Sequence, residues 1–265
     1  MKRMDSDRIQ ERLSDLSFLQ NIYTYESLAS TNNTARRLAA AGAPSWTLVL
    51  AEKQTAGKGQ RGRTWHSAAG SGLLFSIILR PDSVVEMPWL IPTLISTEIA
   101  LALQSEFQIP AKVKWPNDIL SGSRKVCGIL CESSSTATCL ESIILGIGMN
   151  VNQDVELFPP EIVHEATSLC AITGRKLDRI HVLHTILSHL EQRLQSGLVF
   201  EQRDAELWKS TSHDLGRIMS LKVGPKVYAG RLRDFTADGF LILENENGTL
   251  QRINAGHATR LKENS

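Results

Sequence analysis

The thirteen residues from Lys53 to Trp65, KQTAGKGQRGRTW, carry four cations (Lys53, Lys58, Arg61, Arg63) and no acid. Gly57, Gly59 and Gly62 are interleaved with them. Glycine accepts positive φ and lets a backbone come close to a ligand. Concentrated positive charge on such a backbone suits a phosphate chain, or a carboxylate developing into an acyl phosphate. Two common motifs fit only in outline. Gly57-x-Gly59-x-x-Gly62 has the dinucleotide spacing, and Gly57 to Thr64 approaches a Walker loop. Both motifs must open a helix, and Arg63 stands where the Walker lysine belongs. HSAAGSG follows from His66, which is a poor helix. Taken alone, the stretch reads equally well as a solvated cationic hairpin.

A second cluster, Lys112, Lys114, Trp115, Pro116, Asn117 and Asp118, sits at the end of an expected strand. Pro116 turns the chain, which lets Asn117 and Asp118 project into a crevice. A carboxylate beside an amide oxygen can hold Mg²⁺, which prefers hard oxygen ligands and bridges to phosphates. The plainer reading of Asn117-Asp118 is an Asx turn. Lys125, at a strand start before Gly128, could lie over an α-phosphate or an acyl carboxylate; the plainer reading is an exposed strand-edge lysine.

The elements that must position these groups follow from periodicity. Residues 1–17 predict a short amphipathic helix with Ile9, Leu13 and Leu16 on one edge, too short for a DNA-binding module. Strands are predicted at 18–26, 47–52, 73–79, 111–115, 125–132 and 142–149. A helix starts at Ser30-Thr31-Asn32 and closes at Gly42. Residues 91–107 are apolar nearly all round and predict a helix buried on most faces. Amphipathic helices follow at 178–195 and 201–213. After Gly216 the texture changes to short apolar stretches at 218–223, 226–232, 240–243 and 249–253, separated by Gly-Pro, Asp-Gly and Asn-Gly. That pattern predicts a small antiparallel unit, plausibly a closed barrel. The expected division is therefore 1–215 and 216–265.

Among 265 residues, 29 Lys and Arg balance 28 Asp and Glu, a net +1 that argues against a nucleic-acid-coating role. Hydrophobic residues at 42% exclude wholesale disorder. The longest apolar run, Leu90 to Leu103, is broken by Glu98, so no membrane span is expected. The charged amino terminus lacks a signal core, which predicts a cytoplasmic location. Cys127, Cys131, Cys139 and Cys170 have no zinc spacing. His181, His184 and His189 share a helix without a third ligand at the right offset, and His66 is given no chemistry.

Together these residues resemble a biotin protein ligase. The resemblance runs from about Tyr25 to Leu261. It rests on ordered motifs: Ser30-Thr31-Asn32, Gln54-Thr55-Ala56-Gly57-Lys58-Gly59-Gln60-Arg61-Gly62-Arg63-Thr64-Trp65, Lys114-Trp115-Pro116-Asn117-Asp118, Lys125-Val126-Cys127-Gly128-Ile129-Leu130 and Gly146-Ile147-Gly148-Met149-Asn150. It implies an α/β (α+β) catalytic domain with a mixed sheet of the class II aminoacyl-tRNA synthetase and biotin ligase type. An SH3-like barrel would follow. With the motifs starting so early, the chain resembles the monofunctional branch without a winged helix. The implied reaction activates biotin with MgATP to biotinyl-5′-AMP and pyrophosphate. It then passes biotin to a lysine of a biotin carboxyl carrier protein, of the acetyl-CoA carboxylase type. A lipoate or octanoate ligase on the same fold is the near alternative. A DNA-binding repressor and an idle binding module are the distant ones. A monomer and a homodimer both fit.

Roles carry over by position. The resemblance assigns Ser30, Thr31, Asn32, Gln54, Gly57, Lys58, Gly59, Gln60, Lys125, Gly128, Leu130, Gly146 and Gly148 to biotin. It assigns Arg61, Arg63, Trp65, Lys114, Asn117, Asp118 and Asn150 to ATP and the adenylate, with Trp65 stacking on adenine and Asp118 on Mg²⁺. Lys125, Arg61 and Arg63 would carry the catalysis. Lys58 and Gln60 replace arginines of the family loop; Lys58 keeps charge without the bidentate fork, and Gln60 loses it.

Overall fold

The computed structural model describes residues 4–81, 85–135, 140–195 and 197–261. Residues 1–3 of the expected amino-terminal helix, and Cys139, lie outside that set. Helices are α1 (Ser6–Arg12), α2 (Thr31–Ala40), α3 (Ile91–Phe107), α4 (Leu169–Thr173), α5 (Arg179–Leu194) and α6 (Gln202–Thr211). Seven strands form one sheet: β1 (Asn21–Leu28), β2 (Thr47–Gln54), β3 (Leu73–Leu79), β4 (Ala111–Lys114), β5 (Asp118–Ser121), β6 (Arg124–Ser135) and β7 (Leu140–Met149). Their order is β1-β2-β3-β7-β6-β5-β4. The β1–β2 pair, linked through α2, is parallel; the remaining neighbours are antiparallel, so the sheet is mixed as expected.

The sheet is covered on both faces. Leu73, Phe75, Ile77 and Leu79 of β3 join α3 and α5 in the large core, while Ile78 meets Ala35 and Ala39 of α2. A strand buried on both sides reads as a continuous apolar run, which is why LLFSIIL lacks alternation. Ser76 is its one polar residue. Helix α3 is buried nearly all round because α5 and α6 pack on it together with β4 and β6. Among the described residues no helix is long and apolar enough to cross a membrane.

Beyond Gly216 come β8 (Ile218–Val223), β9 (Lys226–Phe235), β10 (Phe240–Glu244), β11 (Leu250–Asn254) and β12 (Ala258–Arg260). They form an antiparallel sheet ordered β11-β10-β9-β8-β12. Its inner residues, including Leu221, Leu232 and Phe235, belong to the same core as the larger sheet. Trp208 of α6 makes the join, with its ring 4.8 Å from Phe235.

The reading of elements needs correction: helix α4 was not expected, and the strand expected at 18–26 runs Asn21–Leu28. β5 and β12 are strands that the pattern missed: β5 (DILS) is short and follows directly on the Pro-Asn turn, and β12 is only three residues long. β4 ends at Lys114, and the Trp115–Pro116 peptide is cis. The amino-terminal helix covers only Ser6–Arg12, although Leu13 and Leu16 continue its buried edge.

The cationic loop is clamped at its base. Arg179 of α5 donates to both Glu52 oxygens at 2.8 and 3.0 Å and to the Gly72 carbonyl at 3.0 Å. Glu52 lies near the end of β2 and Gly72 just before β3, so one guanidinium spans the stem. The Met4 N–H adds a bond to Glu52 at 2.7 Å. Removing one partner of a buried pair strands the other, so Arg179→Ala should cost about 3–5 kcal/mol in urea unfolding. A change below about 1 kcal/mol, as for an exposed pair, would show that the clamp does not hold the stem.

Candidate functional site

A cleft of ≈ 440 Å³, counting space open to solvent, lies over β6 and β7 on the α2 side of the sheet. Strand pairing fixes which residues face it. Ser76 opposes Gly146, Leu74 opposes Gly148, and across the other ladder Leu130 opposes Gly146 and Gly128 opposes Gly148. Directly paired residues share a face, so three glycines make a bare floor.

The glycines are needed because flat or charged groups rest on them. A Cβ on Gly146 would sit 2.0 Å from Asn32 Oδ1, and one on Gly148 would sit 2.6 Å from Trp65 Cε2. A Cβ on Gly128 would meet Lys125 Nζ at 2.9 Å and Trp65 Cζ3 at 3.1 Å. Trp65 thus covers the β6–β7 backbone, and Lys125 Nζ stands 5.5 Å from its ring, within cation–π range.

The inner wall is the start of α2. Ser30, Thr31 and Asn32 are each 3% exposed. Ser30 holds the N-cap position without a side-chain cap bond; Gln54 supplies one instead, its Oε1 accepting the Thr31 N–H at 2.7 Å and the Thr31 hydroxyl at 3.1 Å. Asn32 spends both amide hydrogens, on the Leu130 carbonyl at 3.3 Å and on Glu132 Oε2 at 2.7 Å. Its Oδ1 accepts from Ser76 at 2.7 Å. Arg36 holds the other Glu132 oxygen at 2.8 Å. Ser76 and Glu132 were missed in the sequence. A lone hydroxyl in an otherwise apolar buried strand was the available signal for Ser76.

Lys125 reaches the site through an irregularity. Pairing runs Asp118 with Gly128 and Ile119 with Cys127, then shifts so that Leu120 pairs with Lys125. A bulge re-aims side chains. Here it puts Lys125 on the face of Asp118 and Gly128, where strict alternation would have turned it away. Lys125 Nζ then meets Asp118 Oδ1 at 2.6 Å. The Lys125 backbone is tied to Glu165 and Thr167 at 2.7 and 2.9 Å. Asn117 faces the cleft with its amide on the Ile129 carbonyl at 2.6 Å.

The loop from Gly57 to Trp65 is a narrow hairpin. Trp65 N–H bonds the Gly57 carbonyl at 3.0 Å and Gly59 N–H the Arg63 carbonyl at 2.7 Å. Arg61 turns it with φ +57° and Gly62 with φ +74°. Lys58, Gly59 and Gln60 line the cleft, and Lys58 Nζ bonds Asn33 Oδ1 at 3.1 Å.

Several expected positions stand outside the lining. Arg61 donates to the Arg260 carbonyl at 3.1 Å, and Arg63 is exposed. The left-handed turn at Arg61 carries its side chain toward the carboxyl-terminal sheet rather than over Lys125. Gly57 lies behind Gln54 and Trp65. Lys114 pairs with Asp118 across β4 and β5. Asn150 is buried, with Oδ1 accepting from Gln153 at 3.1 Å. Asp118 touches the cleft only through Lys125. Trp65 does line the cleft, lying against the glycine floor.

Among the described residues no three His, Cys, Asp or Glu side chains gather as a metal site. Burial pushes the Cys127 thiol up to about 12, so it stays protonated and is no nucleophile.

The geometry is that of a cleft floored by glycines and lined by hydroxyl and amide groups, with Lys125 in its wall and part of a cationic hairpin beside it. A sequence model of the biotin/lipoate A/B protein ligase family matches residues 25–150. The bifunctional ligase/repressor BirA of Bacillus subtilis is 36% identical over 230 residues, 86% of this chain and 71% of that protein. The biotin–[acetyl-CoA-carboxylase] ligase of Mycobacterium tuberculosis is 28% identical over 239 residues, 88% of this chain and 86% of that one. The structure of a biotin protein ligase from Aquifex aeolicus in complex with biotin and ATP superimposes with a TM-score of 0.78, at 29% identity, covering 92% of this chain and 100% of that chain. The chain belongs to the biotin/lipoate protein ligase family. Within it, the chain is a biotin protein ligase.

Two outcomes check this site. Gly146→Ala should weaken biotin binding roughly ten- to hundredfold in calorimetry, because overpacking must displace Asn32. Unchanged affinity in a folded variant would show that Asn32 need not rest on Gly146. Iodoacetamide at pH 8 should leave native Cys127 unmodified and label it only in urea. Equal labelling of both forms would contradict the burial of its thiol.

Proposed function

We propose that this chain joins biotin to ATP, giving biotinyl-5′-AMP and pyrophosphate, and then transfers biotin to a lysine of a biotin carboxyl carrier domain with release of AMP. The supporting observation is that Ser30, Thr31 and Gln54 line the same cleft as Lys125. Ser30, Thr31 and Gln54 offer hydroxyl and amide groups there, which suit a ureido ring. Thr31 is already bonded to Gln54 and Ser76, but a fatty acyl chain would cover the Ser30 hydroxyl and the Gln54 amide NH2 without pairing them, which is costly. That consideration disfavours the lipoate or octanoate alternative. Residues 1–215 form the substrate-binding unit in this reading, and 216–265 the small β-unit.

In the first step a biotin carboxylate oxygen forms a bond to the α-phosphorus, and the bond to the pyrophosphate oxygen breaks. Two anions must meet, so fixed positive charge lowers the barrier. Lys125, held by Asp118 and backed by Trp65, is placed for that role. Asn117 would orient the reacting groups beside it. Lys58 and the loop amides would line the acid side, with Arg61 and Arg63 available to phosphates at the rim. Mg²⁺ would enter with ATP and neutralise phosphate charge, and Asp118, beside Lys125, would be the carboxylate to hold it. In the second step the carrier amine attacks the acyl carbon, AMP leaves, and the amine loses a proton.

Incubating the protein with biotin, MgATP and a biotin carboxyl carrier domain should raise the mass of the carrier by one biotinyl group. No gain would overturn the reading. Lys125→Ala should slow biotin-dependent exchange of pyrophosphate into ATP by roughly a hundred- to a thousandfold, the cost of losing one such electrostatic donor. An unchanged rate would remove Lys125 from the chemistry.

A further inference from the structure

We infer that Asp214 is a positioning residue for the ligation reaction, coupling the arginine loop to the corner that carries Asn117, Asp118 and Lys125. The inference rests on the ligase reading. Asp214 lies in the connection between α6 and β8, with its side chain 1% exposed. A single oxygen, Oδ2, accepts the Trp115 backbone N–H at 2.7 Å and meets Arg260 Nη1 at 2.6 Å.

Those two partners lead to different parts of the site. Trp115 follows β4 and is itself followed by Pro116, Asn117 and Asp118. Asn117 locks onto β6, and Asp118 pairs with Lys125. Arg260 ends β12, and its carbonyl is the acceptor for Arg61 Nη1 at 3.1 Å. One carboxylate therefore stands a single residue from the turn on one side, and one ion pair and one hydrogen bond, both through Arg260, from the loop on the other.

An ordinary loop anchor would not require a charge. Ser212 already anchors the local turn with its hydroxyl, accepting the Asp214 and Leu215 N–H groups at 3.1 and 3.0 Å. Burying a carboxylate is costly unless it is paired, and an apolar replacement can be as stable. What the charge adds is a fixed place for Arg260, and through its backbone a seat for Arg61. The pair is neutral together, so it does not repel a triphosphate. Both connections serve the nucleotide and the acid–phosphate junction. Neither reaches Ser30, Thr31 or Gln54 at the inner end of the cleft.

The experiment compares Asp214→Asn, which keeps shape and an acceptor for Trp115, with Asp214→Ala. Three quantities are read: biotin-dependent pyrophosphate–ATP exchange, the biotin Kd without nucleotide, and the rate of tryptic cutting after Arg61. In Asp214→Asn, kcat/KM for ATP should fall roughly tenfold while the biotin Kd stays within about twofold. Cutting after Arg61 should quicken in both variants. Parallel weakening of biotin binding, which mere loosening would give, overturns the inference, and so does an unchanged kcat/KM for ATP. Cutting at the wild-type rate overturns it whatever the exchange assay gives. If the wild-type protein shows no biotin-dependent exchange, the ligase reading fails, and the cutting rates alone decide the coupling. If Asp214→Ala does not fold, the isosteric Asn variant carries the test.

Discussion

Everything at this site depends on three missing methyl groups. Gly128, Gly146 and Gly148 lie side by side on one face of β6 and β7, and side chains rest directly on their backbone. Any Cβ there would stand less than 3 Å from Asn32, Lys125 or Trp65. Glycine weakens a strand, because it packs nothing and loses more freedom on folding. The sheet tolerates this at its centre because β6 and β7 are flanked on both sides and packed from both faces. The cleft is therefore a thin place in a well-supported sheet.

Onto that floor the fold brings groups of different stiffness. Lys125 sits on an interior strand, with backbone bonds to a neighbouring segment and an ion pair to Asp118. Asn32 has both amide hydrogens and its oxygen in use, so it is a wall held by Glu132, Leu130 and Ser76. The cationic hairpin is clamped at its base, where Arg179 joins Glu52 to Gly72. Its tip is exposed, and its arginines contact the carboxyl-terminal unit or solvent. A half-buried charge at the reacting centre and exposed charges at the rim suit a reaction that must admit a highly charged nucleotide and then shield a reactive anhydride from water.

The two departures from the family loop have distinct surroundings. Lys58 keeps its charge and uses it locally, tying the hairpin to Asn33 on α2. Gln60 lines the cleft and brings no charge, so positive potential on that side comes from Lys58 and Lys125. The carboxyl-terminal sheet is not a bystander in this geometry. Its core is continuous with the larger one, and its last strand offers the carbonyl that Arg61 occupies.

Much of this was legible in the chain itself. LLFSIIL could only be a strand covered twice, and residues 91–107 only a helix enclosed by others, because apolar runs of those lengths have few other burial solutions. The cation-and-glycine loop and the Lys-Trp-Pro-Asn-Asp turn suggested carboxylate and phosphate chemistry through residue type, and their order together with Gly146-Ile147-Gly148 carried the resemblance to the family. Local pattern could not reveal β5, which is short and follows directly on the Pro-Asn turn, or β12, which is only three residues long, nor Ser76 and Glu132, which act only through Asn32. Nor could it say which way Lys125 faces. In a strand the side of the sheet reverses with every residue, so a shift of one place between β5 and β6 decides whether that ammonium meets Asp118 over Gly128 or the opposite core. That shift belongs to the pairing of two strands, and only the assembled sheet determines it.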